Sequence, residues 1–383
     1  MCLSCRQDDL HSSLHPSSRR RLLRCTVGDS YHSRCYLRRW PLLLSHAPCL
    51  LHVSPVECRS VSMQKKKKRK RPANLHHPLY WPSWLGAGLL RLLAALPYSL
   101  QLRLGRLVGR LLGRMHRKRR ETVAANLAAC FPELSVAERA VLARQSFESL
   151  GIALFETAIA WWIPDPTARC MYRIAGLEHI HAGLQRGHGV LLCSAHLHTA
   201  ELAGRFMVME QPVTIVYRPQ NDRVIEAIAN RRRARYYGDM IHYRDMRGIV
   251  RALLHNEVVW YAPDIDAGTK RSVFTPFFGV PAASLTATSR LARLTGASVV
   301  PCFYYRRSDG TGYEIVVDPP LSNFPGSDML QDTIRINRVI EDAVRLHPEQ
   351  YLWQHRRFKT RPHGEAPLYP GSVRPASPSR RDS

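Results

Sequence analysis

The stretch CSAHLHTAE, residues 193–201, sets two histidines and a glutamate directly after the apolar run GVLL. An imidazole hydrogen-bonded through one ring nitrogen to a carboxylate has its tautomer fixed and its other nitrogen made more basic, which suits a general base that takes a hydroxyl proton. His196 and Glu201 supply both groups. Their spacing is wrong for one face of a continuous helix, but across a strand-to-helix turn the carboxylate can curl back towards the ring. His198 either pairs with Glu201 at i,i+3 or faces solvent. The plain alternative is that these histidines are structural. No G-x-S-x-G elbow, Walker A loop or strand-linked G-x-G-x-x-G is present, so hydrolase, NTPase and dinucleotide readings lose most of their support.

A site of this kind needs a strand to present it. GVLLCSA, PVTIVYR, EVVWYAP, ASVVPCFYY and YEIVVDPP read as strands, and DRVIEAIANRRRARYY, DMRGIVRALLHN and DTIRINRVIEDAVRLHP as helices. The alternation predicts an α/β fold, with a central, mostly buried β-sheet flanked by helices. His196 then stands at the carboxyl end of a central strand, where open α/β sheets hold ligands. Upstream, FPELSVAERAVLARQSFESLGIALFETAIAWW reads as a helix pair, opened by a capping box of Ser135 and Glu138.

Residues 79–100, LYWPSWLGAGLLRLLAALPYSL, are apolar except for Arg91, with aromatic residues towards the ends. They are expected to form an N-terminal hydrophobic membrane helix, either spanning or lying in the interface; Pro97 and Arg91 count against a clean span. Basic residues flank both sides, KKKKRKR before and Arg103 to Arg120 after, which suits anionic headgroups but leaves orientation open. Gly105, Gly109 and Gly113 form a smooth stripe for close approach of a helix or of lipid. The net charge of +26 calls for an anionic partner and does not by itself choose among nucleic acid, membrane and a phosphorylated substrate.

The organisation read from these patterns has four parts. Residues 1–62 lack either period and form a non-native or disordered leader before Met63; 63–120 are a basic and hydrophobic membrane-anchoring segment; 121–363 are the α/β domain; 364–383 are a disordered tail. Cys2, Cys5, His11 and His15 make a poor zinc site, because the loop between the pairs is too short and no core follows.

The blocks HLHTAELAGR, VYRPQND, EVVWYAPDIDAGTKRSVFTPFFGV, TATSRLARLTGASVVPCFYYRR and HPEQYLWQHRRFKTRP, in this order, resemble the late acyltransferases of lipid A biosynthesis, the lauroyl/myristoyl group within the H-x4-D/E acyltransferases. The likeness runs from about residue 78 to 363. It implies transfer of a fatty acyl chain from an acyl carrier protein thioester to the 3-hydroxyl of an acyl chain on a Kdo-bearing lipid A precursor. The place implied is the cytoplasmic face of the bacterial inner membrane, with no metal, nucleotide or other cofactor and no nucleic acid.

Family roles then fall on His196 as general base and Glu201 as its orienting partner. Arg233 would grip a phosphate or the tetrahedral oxyanion, with Arg231, Arg232 and Arg235 as neighbours that blur the match and a solvated helix face as the plain alternative. Asp264, in APDIDAG, would organise the pocket or orient a basic residue, against an ordinary turn after Pro263. Arg218, in YRP after a strand, is a substrate-binding candidate that would meet phosphate, against a structural loop arginine. The rival readings are an acyltransferase acting on another glycolipid or a lyso-phospholipid, and a basic protein that coats a membrane surface or binds nucleic acid.

Overall fold

Strands that are apolar on both faces belong at the centre of a parallel sheet covered by helices on each side. In the computed structural model, which describes residues 74–370, Val190–Cys193 (β2), Val258–Tyr261 (β5) and Ser298–Arg306 (β8) are buried at every position. They pair side by side and in parallel, in the order β8, β2, β5. Thr214–Tyr217 (β3) and Met240–His242 (β4) extend the parallel set beyond β5. On the other side Tyr313–Val317 (β9) runs antiparallel to β8, and Tyr172–Ala175 (β1) completes the sheet. The order is β1-β9-β8-β2-β5-β3-β4. A separate antiparallel hairpin, Ser272–Phe277 (β6) with Val280–Leu285 (β7), follows β5. The α/β architecture, with a central sheet between helices, is as expected. The short strands β1 and β4 and the hairpin carry too few contiguous apolar residues to announce themselves.

Four long helices precede the sheet: Trp81–Leu93 (α1), Tyr98–Met115 (α2), Arg117–Cys130 (α3) and Val136–Trp162 (α4). The expected helix pair over 131–162 is one helix, because nothing after the Ser135–Glu138 capping box interrupts it. Gly151 at its middle serves a crossing rather than a break. The glycine stripe of α2 lies on α4, where a Cβ on Gly105 would stand 2.7 Å from the Ile152 Cα and one on Gly109 would stand 2.6 Å from the Glu148 Cα. The stripe is a helix-packing face.

The expected membrane span is not present as such. The apolar run divides at Ala94–Pro97, leaving α1 with 13 residues, about 20 Å of helix against a hydrocarbon core of about 30 Å. Among the described residues no helix is long and apolar enough to cross a membrane. The reason is local: Pro97 has no N–H to continue α1, and α2 restarts from it.

The remaining helices are Asp165–Arg169 (α5), Leu177–Gln185 (α6), Ala200–Val208 (α7), Arg223–Arg233 (α8), Met246–Leu254 (α9), Ala287–Thr295 (α10) and Met329–Leu346 (α11). Crossovers β2-α7-β3 and β3-α8-β4 advance along the sheet while β4-α9-β5 returns, so right-handed connections put α7 and α8 on one face and α9 on the other. Helix α4 packs on α7 and α8, α1 packs on α4 and α8, and α10 packs on α9.

The proposed division at residue 120 falls inside α3. Residues 364–370, assigned to the tail, pack back: buried Tyr369 takes a hydrogen bond from the Phe358 N–H (3.0 Å) and donates one to Asn126 Oδ1 (2.7 Å). The leader, its cysteines, the KKKKRKR run and the end of the tail lie outside the described residues.

Candidate active site

His196 stands three residues past Cys193, the end of β2, and Asp264 three past Tyr261, the end of β5. Cys193 and Tyr261 are register partners in the parallel ladder, which the Ser194 N–H continues to the Tyr261 carbonyl (2.9 Å). Equal offsets on paired parallel strands bring the two side chains together above the carboxyl edge of the sheet. Asp264 Oδ1 is 2.6 Å from His196 Nδ1, and Oδ2 accepts the His196 backbone N–H at 2.9 Å. Both oxygens thus contact His196. Asp264 is 1% exposed, whereas the His196 side chain is 41% exposed, so the free ring edge carrying Nε2 looks outward.

The electrostatics follow from this asymmetry. Burial alone would lower the basicity of His196, but the adjacent Asp264 charge and hydrogen bond outweigh it and hold the imidazole pKa above its ordinary value. Burial opposes ionisation of Asp264, yet the His196 ring charge and the two hydrogen bonds win and bring its pKa down to about 2. The carboxylate stays charged through the whole neutral range.

Glu201 does not curl back. It lies in the first turn of α7, where the carboxylate accepts the Trp161 indole N–H (2.8 Å) and a two-point contact from Arg233, Nε to Oε1 at 3.0 Å and Nη2 to Oε2 at 2.5 Å. Arg233 is at the end of α8 and Trp161 at the end of α4, so the pair ties three helices together beside the His196 turn. The carboxylate against the imidazole is therefore Asp264, and the physical reason is strand adjacency: β5 brings Asp264 in at ring level, while a planar guanidinium fork claims Glu201. Arg233 is 11% exposed and not on a solvated helix face. Arg218 is the residue directly after β3, on the same sheet edge, and is exposed; among the described residues its side chain makes no hydrogen bond or ion pair.

His198 neither pairs with Glu201 nor faces open solvent. Its Nδ1 lies 3.0 Å from Ser149 Oγ and its Nε2 3.2 Å from Gln354 Oε1. Burial drops its pKa to about 4 despite the hydrogen bond to Gln354, so the ring is neutral and structural.

The segment that closes the site from the carboxyl terminus counted in the sequence only towards the family resemblance, with no role at the site. Gln350 and Leu352 hydrogen-bond the backbone of His198 and His196, and Leu197 bridges Tyr351. Asn126 on α3 holds the carbonyls of Trp353 (2.7 Å) and His355 (2.9 Å). The phenol of Tyr351 is pushed well above its ordinary pKa by burial and by the Asp264 charge, and burial lowers His355. The signal was in HPEQYLWQHRR, a dense polar and aromatic block with no secondary-structure period of its own.

The thiol and hydroxyl that precede His196 in the chain are shut away. Cys193 is 1% exposed and its pKa is pushed up to about 12 by burial, and Ser194 is fully buried. Among the described residues no cluster of three or more His, Cys, Asp or Glu side chains could hold a metal ion.

A histidine held by an aspartate at the carboxyl edge of an open α/β sheet, with its outer nitrogen free, has the geometry to activate a hydroxyl or water for attack on a carbonyl. Residues 67–360 match the family described as bacterial lipid A biosynthesis acyltransferase. The chain is 41% identical over 296 residues to the lipid A biosynthesis lauroyltransferase of Escherichia coli K12, covering 77% of this chain and 97% of that protein. It is also 41% identical over 295 residues to the palmitoleoyltransferase of the same strain, covering 76% and 96%. A Haemophilus influenzae lipid A biosynthesis acyltransferase is 33% identical over 308 residues, covering 79% and 98%. The chain belongs to the lipid A biosynthesis acyltransferases, and it is an acyltransferase enzyme.

Proposed function

We propose that the enzyme moves a fatty acyl chain from an acyl carrier protein thioester to the 3-hydroxyl of an acyl chain on a Kdo-containing lipid A precursor. His196 Nε2 takes the acceptor hydroxyl proton as that oxygen attacks the thioester carbonyl. Collapse of the tetrahedral intermediate breaks the C–S bond, and the leaving thiolate takes the proton back from the imidazolium. Asp264 holds Nδ1–H and keeps Nε2 free. Glu201 is a positioning residue that sets Arg233, whose remaining N–H groups serve the oxyanion or an acceptor phosphate. Arg218 contributes to binding the phosphorylated acceptor.

The observation that carries this reading is the free Nε2 edge of a histidine held by Asp264, with the adjoining Cys193 thiol buried and kept protonated. It favours direct transfer over an acyl-enzyme. The relatives differ in the acyl chain their names give, so chain length is not carried across.

The place of work we propose is the cytoplasmic face of the inner membrane, with α1 lying in the interface. Its Trp81, Leu85, Leu89 and Leu92 are largely exposed, and arginines follow on α2, a pairing suited to an anionic lipid surface.

The test is transfer by the membrane-extracted protein from a panel of acyl carrier protein thioesters to a tetra-acylated Kdo-lipid A precursor, read by mass spectrometry. The wild type should add one acyl chain and His196→Ala none. Transfer only to lyso-phospholipid or another glycolipid would replace the acceptor, and an active His196→Ala would overturn the mechanism.

A further inference from the structure

The helices on the sheet face opposite to α1 leave a second unpartnered surface. Between α9 and α10 runs a groove of about 510 Å³, with Met246, Val250, Leu254 and Leu294 along it and Arg247 and Arg251 beside them. Leu254 is 59% and Leu294 67% exposed, which is unusual for leucines on helices that otherwise bury their apolar stripes. Their neighbours are cationic. Helices α9 and α10 contain four arginines and no carboxylate. Arg293 is spent on the Gly326 carbonyl and lies 3.7 Å from Asp332. Arg247, Arg251 and Arg290 are exposed and form no ion pair among the described residues. The nearest acid in sequence, Asp245, is occupied as the cap of α9 through the Gly248 N–H.

Apolar side chains flanked by unpaired arginines fit a protein segment that carries carboxylates beside an apolar stripe. The position favours a soluble partner over lipid, since α1 with its exposed apolar residues packs with α4 and α8 on the other face. Both α9 and α10 run from the carboxyl edge of the sheet to the opposite one, as their following strands β5 and β8 require. Arg247 and Arg290, in their first turns, therefore lie at the end nearer the edge that holds His196.

We infer that the α9–α10 groove is the docking site for the acidic carrier protein that presents the acyl thioester. The inference rests on the carrier-protein donor of the proposed function. The groove holds the protein part of the donor and leaves the thioester free to reach His196 over the carboxyl edge.

The experiment measures transfer by the full chain from acyl carrier protein thioester and, in parallel, from the corresponding acyl-pantetheine, which has no protein part. The variants are Arg247→Glu with Arg251→Glu, and Leu254→Ser with Leu294→Ser. For both pairs KM for the carrier thioester should rise about tenfold or more with kcat kept, while rates with acyl-pantetheine stay at the wild-type level and so report an intact site. Added salt should raise the wild-type KM more than that of the arginine variant. A carrier-thioester KM within twofold of wild type in both variants would overturn the docking site. Unchanged KM with weakened binding to anionic vesicles would give the groove to the membrane instead. If the wild type uses acyl-pantetheine but not the carrier thioester, the donor reading fails and the docking site with it.

Discussion

Asp264→Asn should be nearly as damaging as Asp264→Ala, although it keeps the shape of the side chain. Both oxygens of Asp264 accept hydrogen bonds from His196, one from the backbone N–H at 2.9 Å and one at Nδ1, 2.6 Å away. The backbone N–H can only donate, so an asparagine must turn its single oxygen to it. Its NH2 group then faces Nδ1, which has to accept. That forces the proton onto Nε2, the nitrogen needed as the base. The change does not merely weaken the base; it selects the wrong tautomer.

General-base assistance contributes about 10²–10⁴ in rate, or roughly 3–5 kcal/mol of barrier, and kcat for the Asn variant should fall by that factor with little change in KM. The pH profile provides a second readout. In the proposed mechanism transfer needs neutral His196, so the rate should rise with pH through the His196 pKa, which Asp264 holds above the ordinary value. Removing the charge in Asp264→Ala should move this acid limb to lower pH while lowering the plateau. The assay is initial rate of acyl transfer at saturating donor between pH 5 and 9, by about half-unit steps, with thermal unfolding to confirm that the variants fold. An Asn variant within about threefold of wild type, or an acid limb that does not move in the Ala variant, would refute the assignment of Asp264 to the base.

Arg233→Lys should lose at least about tenfold in kcat, because a point ammonium cannot reproduce the two-point contact with Glu201. A double-mutant cycle with Glu201→Gln should give a coupling of roughly 0.5–3 kcal/mol in kcat. His198→Gln should keep activity within about tenfold, since a neutral structural ring offers hydrogen bonds that an amide can partly replace. Its stability should depend less on pH: folded His198 has a pKa of about 4, below that of the unfolded chain, so the unfolded state binds more protons and the wild type loses stability as pH falls from about 6.5 towards 4. Gly109→Ala should lower Tm by roughly 2–5 °C, because its Cβ would meet the backbone of α4, which cannot swing away. Leu85→Ser with Leu89→Ser should release the protein from anionic vesicles in a flotation assay, leaving Tm unchanged because both side chains are largely exposed.

The central sheet was legible because β2, β5 and β8 are written as unbroken apolar runs, and a strand buried on both faces has no other pattern. The capping box at Ser135 was equally local, a four-residue signal that two hydrogen bonds confirm. What the sequence concealed was pairing across distance. Glu201 looked like the partner of His196 because it is near in the chain, whereas Asp264, which was singled out on other grounds, is 68 residues away and becomes the ring's neighbour only once β2 and β5 lie side by side. The 79–100 run was legible in part: its apolarity left span and interface both open, and Pro97, which counted against a clean span, is where α1 gives way to α2.

The basic surplus gains meaning only from its distribution over the fold. A uniform coat of +26 would bind any polyanion and discriminate none. On this chain, exposed apolar residues accompany the arginines at two separated places: α1 with α2 on the α4 side of the sheet, and the α9–α10 groove on the other. Charge alone attracts at long range, but apolar contact at short range requires a partner of matching shape, and a bilayer and a small acidic protein differ in shape more than in charge. The carboxyl edge of the sheet, with His196, Asp264 and Arg218, lies where the two faces meet. The proposed function, which joins a membrane-held acceptor to a donor arriving in water, would use that division. In a parallel sheet it follows from the crossover rule, because reversing the direction of strand addition puts successive helices on opposite faces and leaves the shared edge open to both.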